Sequence, residues 1–315
     1  MTSLIHCLTD SSDASKVGGK AAALSRLKLA GLQVPDGFVI DSACCLRSAR
    51  RGCGLPLMPT ALHDQIAHAY AGLRAPADAA GPPLVAVRSS AVGEDSRGAS
   101  FAGQFATRLA LRGLDSVIAA VRECWASLWT SNYVVSGHLA GPPAMAVLVQ
   151  RQVHAKSAGV AFSLDPRNGD RSRIVIESAW GQGSSVVNGE EADLFVLEKA
   201  RGREIERHIS EKVHAWYCAT EQGLTCRPVP EPQRRQPSIT EGTTHRIRDA
   251  VHIAMTVLDE QVDLEWALAE TGELQILQAR PETAWSNSER PATSPTELTR
   301  RVAATMSKHQ DMAAQ

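Results

Sequence analysis

Apolar and polar residues alternate through "VDLEWAL" and again through "LQILQAR", residues 262–268 and 274–280, a period of two that predicts paired strands. The turn falls in "AETGEL" with Thr271-Gly272 at its centre. A two-residue turn there and a four-residue loop over 270–273 give one register, with Glu265 opposite Gln278 and Asp263 opposite Arg280. Residues two apart share a face, so these four side chains form one polar ladder, while Leu264, Trp266, Leu268 and Leu277 form the core face. Upstream, "SKVGGKAAALSRLKLAGLQVPDGFVI" reads as glycine loop, helix and strand. Its helix starts near Lys20, carries Ala21, Leu24 and Leu27 on one side and stops at Gly31. A mostly helical stretch runs to about Ala80, and "LVAVRSS" is a hydrophobic strand ending in Arg88 before a Gly/Ser loop over 93–104. Helical periodicity returns at Val117, Ala120, Val121, Cys124 and Leu128. Four strand-like runs follow between Ala144 and Ala200, and a helix over 243–258 leads into the hairpin. The pattern is α+β without internal repeats.

Composition narrows the function classes. The chain has 315 residues, a formal net charge of −1 and 43% hydrophobic residues, which suits one large or two moderate domains. No basic footprint for nucleic acid or a membrane surface is present, aromatics are only 4%, and no apolar run reaches spanning length, so neither partner is expected. The start "MTSLIHCLTDSSD" has no signal-peptide pattern. The seven cysteines include no Cys-x-x-Cys pair, and Cys44, Cys45 and Cys53 lack a fourth ligand at zinc spacing. Reduced thiols and a cytoplasmic location are the expectation.

Three other segments carry possible chemistry. Paired glycines before Lys20 at a helix start offer amides and an ammonium to a phosphate, although the Walker spacing fails at Ala14 and Ala21. A plain loop before a helix accounts for the same residues. Arg88 can fork onto phosphate oxygens or close a strand-end ion pair. "RIVIESAWGQG" breaks at Trp180-Gly181, where backbone groups can read an adenine edge or a strand simply ends. On the hairpin, Glu265 and Gln278 supply hard oxygens for Mg²⁺ and Arg280 a guanidinium for phosphoryl oxygens. A solvated sheet face with one cross-strand ion pair explains that ladder equally.

The order of these motifs is more specific than any one of them. "VGGKAA", "VPDGFVI", "VAVRSSAVGEDSRGASFAGQ", "DLEWAL" and "LQILQARPET", spread over roughly residues 15–283, resemble the ATP-binding domain of the phosphoenolpyruvate synthase and pyruvate phosphate dikinase family, which rifampicin phosphotransferase shares. The resemblance implies an ATP-grasp fold, two lobes clasping ATP between sheets: residues 1–178 as the N-terminal lobe, 179–285 as the C-terminal lobe and 286–315 as a tail. It implies that Lys20 and Arg88 hold the phosphates, a loop through Ser100 and Gly103 covers them, and Glu177 to Ala179 meet the adenine. Asp263 belongs to the nucleotide site, Glu265 and Gln278 bind Mg²⁺, and Arg280, with Lys20 and Arg88, serves catalysis. The chain departs from the family at Phe105-Ala106 and at "QGSS" after Gly181.

In this family the phosphate passes to a histidine on a swivelling domain whose Gly-Gly-x-x-Ser/Thr-His loop is not found here. His245, in "GTTHRIRDA", reads as a solvated helix residue. The Met start and the polar last segment point to a stand-alone subunit, similar to that of phenylphosphate synthase and of cresol-phosphorylating enzymes in aromatic degradation. That organisation implies a partner subunit carrying the phosphohistidine domain, a small, phenolic acceptor handled by that partner, and release of AMP and phosphate. The alternatives are an excised domain of a phosphoenolpyruvate synthase or rifampicin phosphotransferase, a non-catalytic nucleotide-binding regulatory module, and, more distantly, a carboxylate–amine ligase.

Overall fold

The computed structural model describes residues 4–48, 58–74, 81–93, 105–130, 144–187, 189, 191–219, 221–282 and 285. The chain divides into two compact units. One comprises residues 1–26, 35–152 and 219–223, the other 27–34, 153–218 and 224–315. The main division therefore falls after Gln152, not after residue 178 as the sequence suggested. The reason is that the strands between those positions are interior to the second unit's sheet and take hydrogen bonds on both edges. The expected tail, residues 286–315, lies outside the described residues.

The first unit is built on an antiparallel sheet in the order β1 (Ile5–Cys7), β2 (Gly37–Ile40), β5 (Met145–Arg151), β3 (Leu84–Ala91) and β4 (Thr107–Arg112). Helix α1 (Ala14–Leu29) precedes β2, α2 (Ser42–Ser48) and α3 (Thr60–Gly72) precede β3, and α4 (Leu114–Thr130) follows β4. Val85, Val87 and Ala91 on one face of β3 meet Val117, Val121, Cys124, Trp125 and Leu128 of α4 in a closed core. Burial in that core pushes the Cys124 thiol up to about 12. Cys44 and Cys45 are buried there as well; Cys53 lies outside the described residues. Phe105, a departure from the family pattern, is a core residue at 1% exposure.

The second unit holds a six-stranded antiparallel sheet in the order β13 (Leu274–Pro281), β12 (Val262–Ala269), β6 (Ala155–Phe162), β7 (Arg173–Trp180), β8 (Asp193–Glu198) and β9 (Glu204–His208). A two-stranded ribbon, β10 (His214–Cys218) with β11 (Leu224–Pro228), and the short helices α5 (Ser184–Val187) and α6 (Glu231–Arg234) complete it with α7 (Glu241–Leu258). α7 opens on an N-cap, Thr240, whose hydroxyl accepts from the Thr243 amide. It packs on β12, β13 and β6 and buries Ile247, Ala250, Val251 and Ala254. The class is α+β, in agreement with the ATP-grasp expectation.

Candidate functional site

The hairpin register is the one expected where it matters: Asp263 pairs with Arg280 and Glu265 with Gln278. The route to it differs. The loop is three residues long, closed by Ala269 N–H to Glu273 O at 2.9 Å, with Gly272 left-handed at φ 87°. Near the loop the pairing is therefore one residue out, Trp266 opposite Ile276, and a bulge between that pair and Glu265–Gln278 restores the register. The bulge corrects one expectation: Leu277 does not join the core face. Ile276 and Ala279 take the buried positions, at 1% exposure each, and Leu277 packs against Ala155, Ala158 and Ala267 on the ladder side.

Pairing across the sheet extends the ladder into rows, because residues directly opposite point to the same face. One row runs Arg280, Asp263, Phe162, Val175, Val196 and Glu206. The next runs Gln278, Glu265, Val160, Glu177, Leu194 and His208. A third places Ala267, Ala158 and Ala179 together. Asp263, Glu265, Gln278, Arg280, Glu177 and Ala179 thus share one face of one sheet, polar at the hairpin and apolar across β6 to β8.

The electrostatics of this face are unbalanced toward carboxylate. Arg280 donates to Asp263 Oδ2 from Nη2 at 3.0 Å and from Nε at 3.2 Å, with the two side chains 16% and 13% exposed. Asp263 Oδ1 is buried and has no hydrogen-bond partner among the described residues. Burial pushes the Asp263 pKa up, the neighbouring Arg280 pulls it down, and Glu265 adds to the rise. Burial likewise raises Glu177, against a smaller opposing pull from Arg167. Arg167 is itself forked between Asp165 and Glu206. Hard oxygens from Asp263, Glu265 and Gln278, one of them an orphaned buried carboxylate atom, fit a small divalent cation that keeps part of its water shell. Among the described residues no group of three or more His, Cys, Asp or Glu converges as a metal cluster, so any such site here needs the Gln278 amide oxygen.

In the first unit Arg88 and Ser90 share the face of β3 opposite the α4 core, with Leu148 and Ala146 of β5 as their paired neighbours. α1 is helical on both sides of Gly18, which stands at φ 73°, ψ 169°. The helix thus restarts beside Lys20, as expected, and a further turn precedes it. Ser90 Oγ accepts from the Ala21 amide at 3.2 Å and donates to Val17 O at 2.7 Å, joining the start of the helix to the strand. Lys20 is buried, at 7% exposure. At the other end, Gly31 N–H bonds Lys28 O and Leu32 N–H bonds Leu27 O, a glycine-terminated stop. Ser100 and Gly103 lie outside the described residues.

At the break after β7, Gly181 N–H bonds Lys156 O and Gln182 N–H bonds Trp216 O, so both amides serve the protein's own backbone. A buried polar network with no periodic signature lies behind β7. Ser178 Oγ shares a 2.6 Å hydrogen bond with Ser238 Oγ, which also bonds Asp193 Oδ2. Asp193 Oδ1 receives the Lys212 ammonium at 2.5 Å, and those two side chains are 0% and 1% exposed.

Residues 56–300 match the family model described as pyruvate phosphate dikinase, AMP/ATP-binding domain. The chain belongs to this family. Within it, the chain is 37% identical over 85% of its length to the prodigiosin synthesizing transferase PigC of Serratia marcescens. It is 32% identical over 88% of its length to the phosphoenolpyruvate synthase of Aeropyrum pernix, and 29% over 87% to the rifampicin phosphotransferase of a Streptomyces species. It spans 32%, 42% and 35% of those three proteins. ATP is the nucleotide this pyruvate phosphate dikinase-type domain is built for.

Proposed function

We propose that this chain is the phosphoryl-donor component of a phosphotransferase, passing phosphate from Mg-ATP to a histidine on a partner chain. The observation that carries the reading is the set of rows on the six-stranded sheet, which gathers Asp263, Glu265, Gln278, Arg280 and Glu177 on one face. Family membership supports it independently. Glu265 and Gln278 would hold Mg²⁺, and the buried Asp263 Oδ1 would be available to the ion or its water. When bound, the ion neutralises phosphate charge and orients the leaving oxygens. Arg280, kept in place by Asp263, lies against charge that develops on the transferring phosphoryl group. We assign Glu177 and Ala179 to the nucleoside and Lys20 and Arg88 to phosphate oxygens; Ser100 and Gly103 lie outside the described residues.

The acceptor is a histidine outside this chain. His245 does not suit the role: it sits on α7 with its side chain 41% exposed and 3.8 Å from Glu241, an ordinary helix-surface pair. ATP, the partner's imidazole and one water give phosphohistidine, AMP and phosphate. A small acceptor, phenolic in the reading we favour, then takes the phosphoryl group from the partner. Cytoplasmic residence fits a reaction that consumes ATP, and among the described residues no helix is long and apolar enough to cross a membrane.

The test is radiolabelled ATP with this chain, Mg²⁺ and a protein bearing a Gly-Gly-x-x-Ser/Thr-His domain. The expected result is an acid-labile, base-stable label on the partner and release of AMP, with discharge to an aryl phosphate when phenol or cresol is added. ADP without AMP, or stable label on His245, overturns the reading.

A further inference from the structure

Asp13 caps the first turn of α1, accepting from the Ser15 amide at 3.1 Å, but the helical segment that restarts after Gly18 has no capping side chain of its own. Gly18 stands where the N-cap residue belongs, just before the helical turn that contains Gly19, Lys20 and Ala21. An N-cap side chain ordinarily accepts from the amide three residues on. Here the acceptor at that amide, Ala21 N–H, is the hydroxyl of Ser90, delivered from β3 and 69 residues away in sequence. The same hydroxyl donates its proton to Val17 O at 2.7 Å. With its single proton committed to Val17, the oxygen presents only lone pairs to Ala21. Ser90 therefore closes both sides of the break at Gly18.

Gly18 is what admits this arrangement. A Cβ there would lie 2.0 Å from Ser90 O and 2.4 Å from Ser90 Oγ, and φ 73° is itself unfavourable for an L side chain. No N-cap serine, threonine or aspartate can occupy position 18 while β3 lies so close, so the cap has to come from the strand. The adjacent Ser89 is a natural control. It points to the opposite face of β3, is fully buried, and its hydroxyl has no hydrogen-bond partner among the described residues.

We propose that Ser90 is a positioning residue for the nucleotide phosphates: by capping α1 across the break, it fixes the backbone that carries Lys20 relative to Arg88, which lies on the same face of the same strand. The proposal rests on the reading of Lys20 as a phosphate ligand. Ser90 touches no substrate in it and acts only through where Lys20 stands. Its loss should weaken binding of the triphosphate and leave binding of the nucleoside alone, a split that general destabilisation does not produce.

The experiment measures ATP and adenosine affinities by calorimetry for the wild type, Ser90→Ala, Ser90→Thr, Ser89→Ala, Lys20→Ala and Lys20→Ala/Ser90→Ala, with melting temperatures alongside. Ser90→Ala should weaken ATP about fivefold, the equilibrium factor a lost N-cap carries, with adenosine affinity unchanged. Ser90→Thr keeps the hydroxyl and should recover ATP affinity. Ser89→Ala should change neither ligand, and the double variant should bind ATP no more weakly than Lys20→Ala. A lowered melting temperature in Ser90→Ala with ATP affinity unchanged makes the serine merely structural and overturns the proposal. A further weakening of ATP when Ser90→Ala is added to Lys20→Ala, as large as that of Ser90→Ala alone, overturns it too. If Lys20→Ala itself leaves ATP affinity intact, the assignment of Lys20 fails first. Should Ser90→Ala not fold, Ser90→Cys, close in size and a poor acceptor, must show the same ATP-specific loss.

Discussion

Removing Arg280 should destabilise the protein in a pH-dependent way, with a sign fixed by Asp263. In Arg280→Met the stem volume is largely kept and the guanidinium is lost, leaving Asp263 without the donors at 3.0 and 3.2 Å. Breaking one side of a buried ion pair costs about 3–5 kcal/mol. The pair retains 16% and 13% exposure, so water offsets part of that, and we expect roughly 2–3 kcal/mol near neutral pH. Burial already raises the Asp263 pKa and Arg280 opposes the rise, so the variant's folded-state pKa climbs further. Above the ordinary carboxylate value, and up to that raised value, the folded state then binds more protons than the unfolded state. Stability falls as pH rises through that window. The deficit of Arg280→Met should therefore be small in acid and grow toward neutrality. Asp263→Asn added to Arg280→Met removes the stranded charge and should flatten the profile and recover most of the loss. Urea denaturation in chelator, at steps from about pH 4 to pH 8, reads both effects. A deficit that is constant with pH and not relieved by Asp263→Asn would refute the electrostatic account of this pair.

Two further outcomes test the scaffold around the site. Gly159→Ala places a Cβ 1.9 Å from Glu177 O and 2.9 Å from the Trp266 ring, forcing β6 from β7; a loss of about 3 kcal/mol should appear in thermal melts, and an unchanged melting temperature would deny the close approach. Lys212→Met strands the buried Asp193 carboxylate and should cost about 3–5 kcal/mol by urea titration, whereas Asp193→Leu/Lys212→Met should recover much of it. Equal losses in the single and double variants would show that packing, not charge, governs that network.

Much of the site face could be read from the chain because it rests on local periodicity. The alternation around Trp266 and the glycine in the turn were enough to pair Asp263 with Arg280 and Glu265 with Gln278. Leu277 departs from its expected face because a one-residue difference in loop length, offset by a bulge, leaves the distal register unchanged while moving one side chain to the other face. The strands β9, β10 and β11 are hidden in the sequence for another reason. β9 is an edge strand of mostly exposed residues, and the ribbon strands are partly exposed, so no apolar alternation marks them. Ser90 belongs to the Val-Arg-Ser-Ser motif, but its role depends on a helix brought alongside by the fold, and nothing near it in sequence signals a cap. The Asp193–Lys212 pair is hidden in the same way: its partners come from separate segments, and a buried charge has no periodic signature.

The central claim is that the ladder face of the six-stranded sheet binds the metal–phosphate part of ATP. Its most direct test is calorimetric titration with ATP in excess Mg²⁺ and again in chelator, on the wild type, Glu265→Ala and Gln278→Ala. The account predicts tighter binding with Mg²⁺ in the wild type, a gain largely abolished in both variants, and affinity for adenosine preserved in all three. An equal Mg²⁺ gain in the wild type and both variants would contradict it.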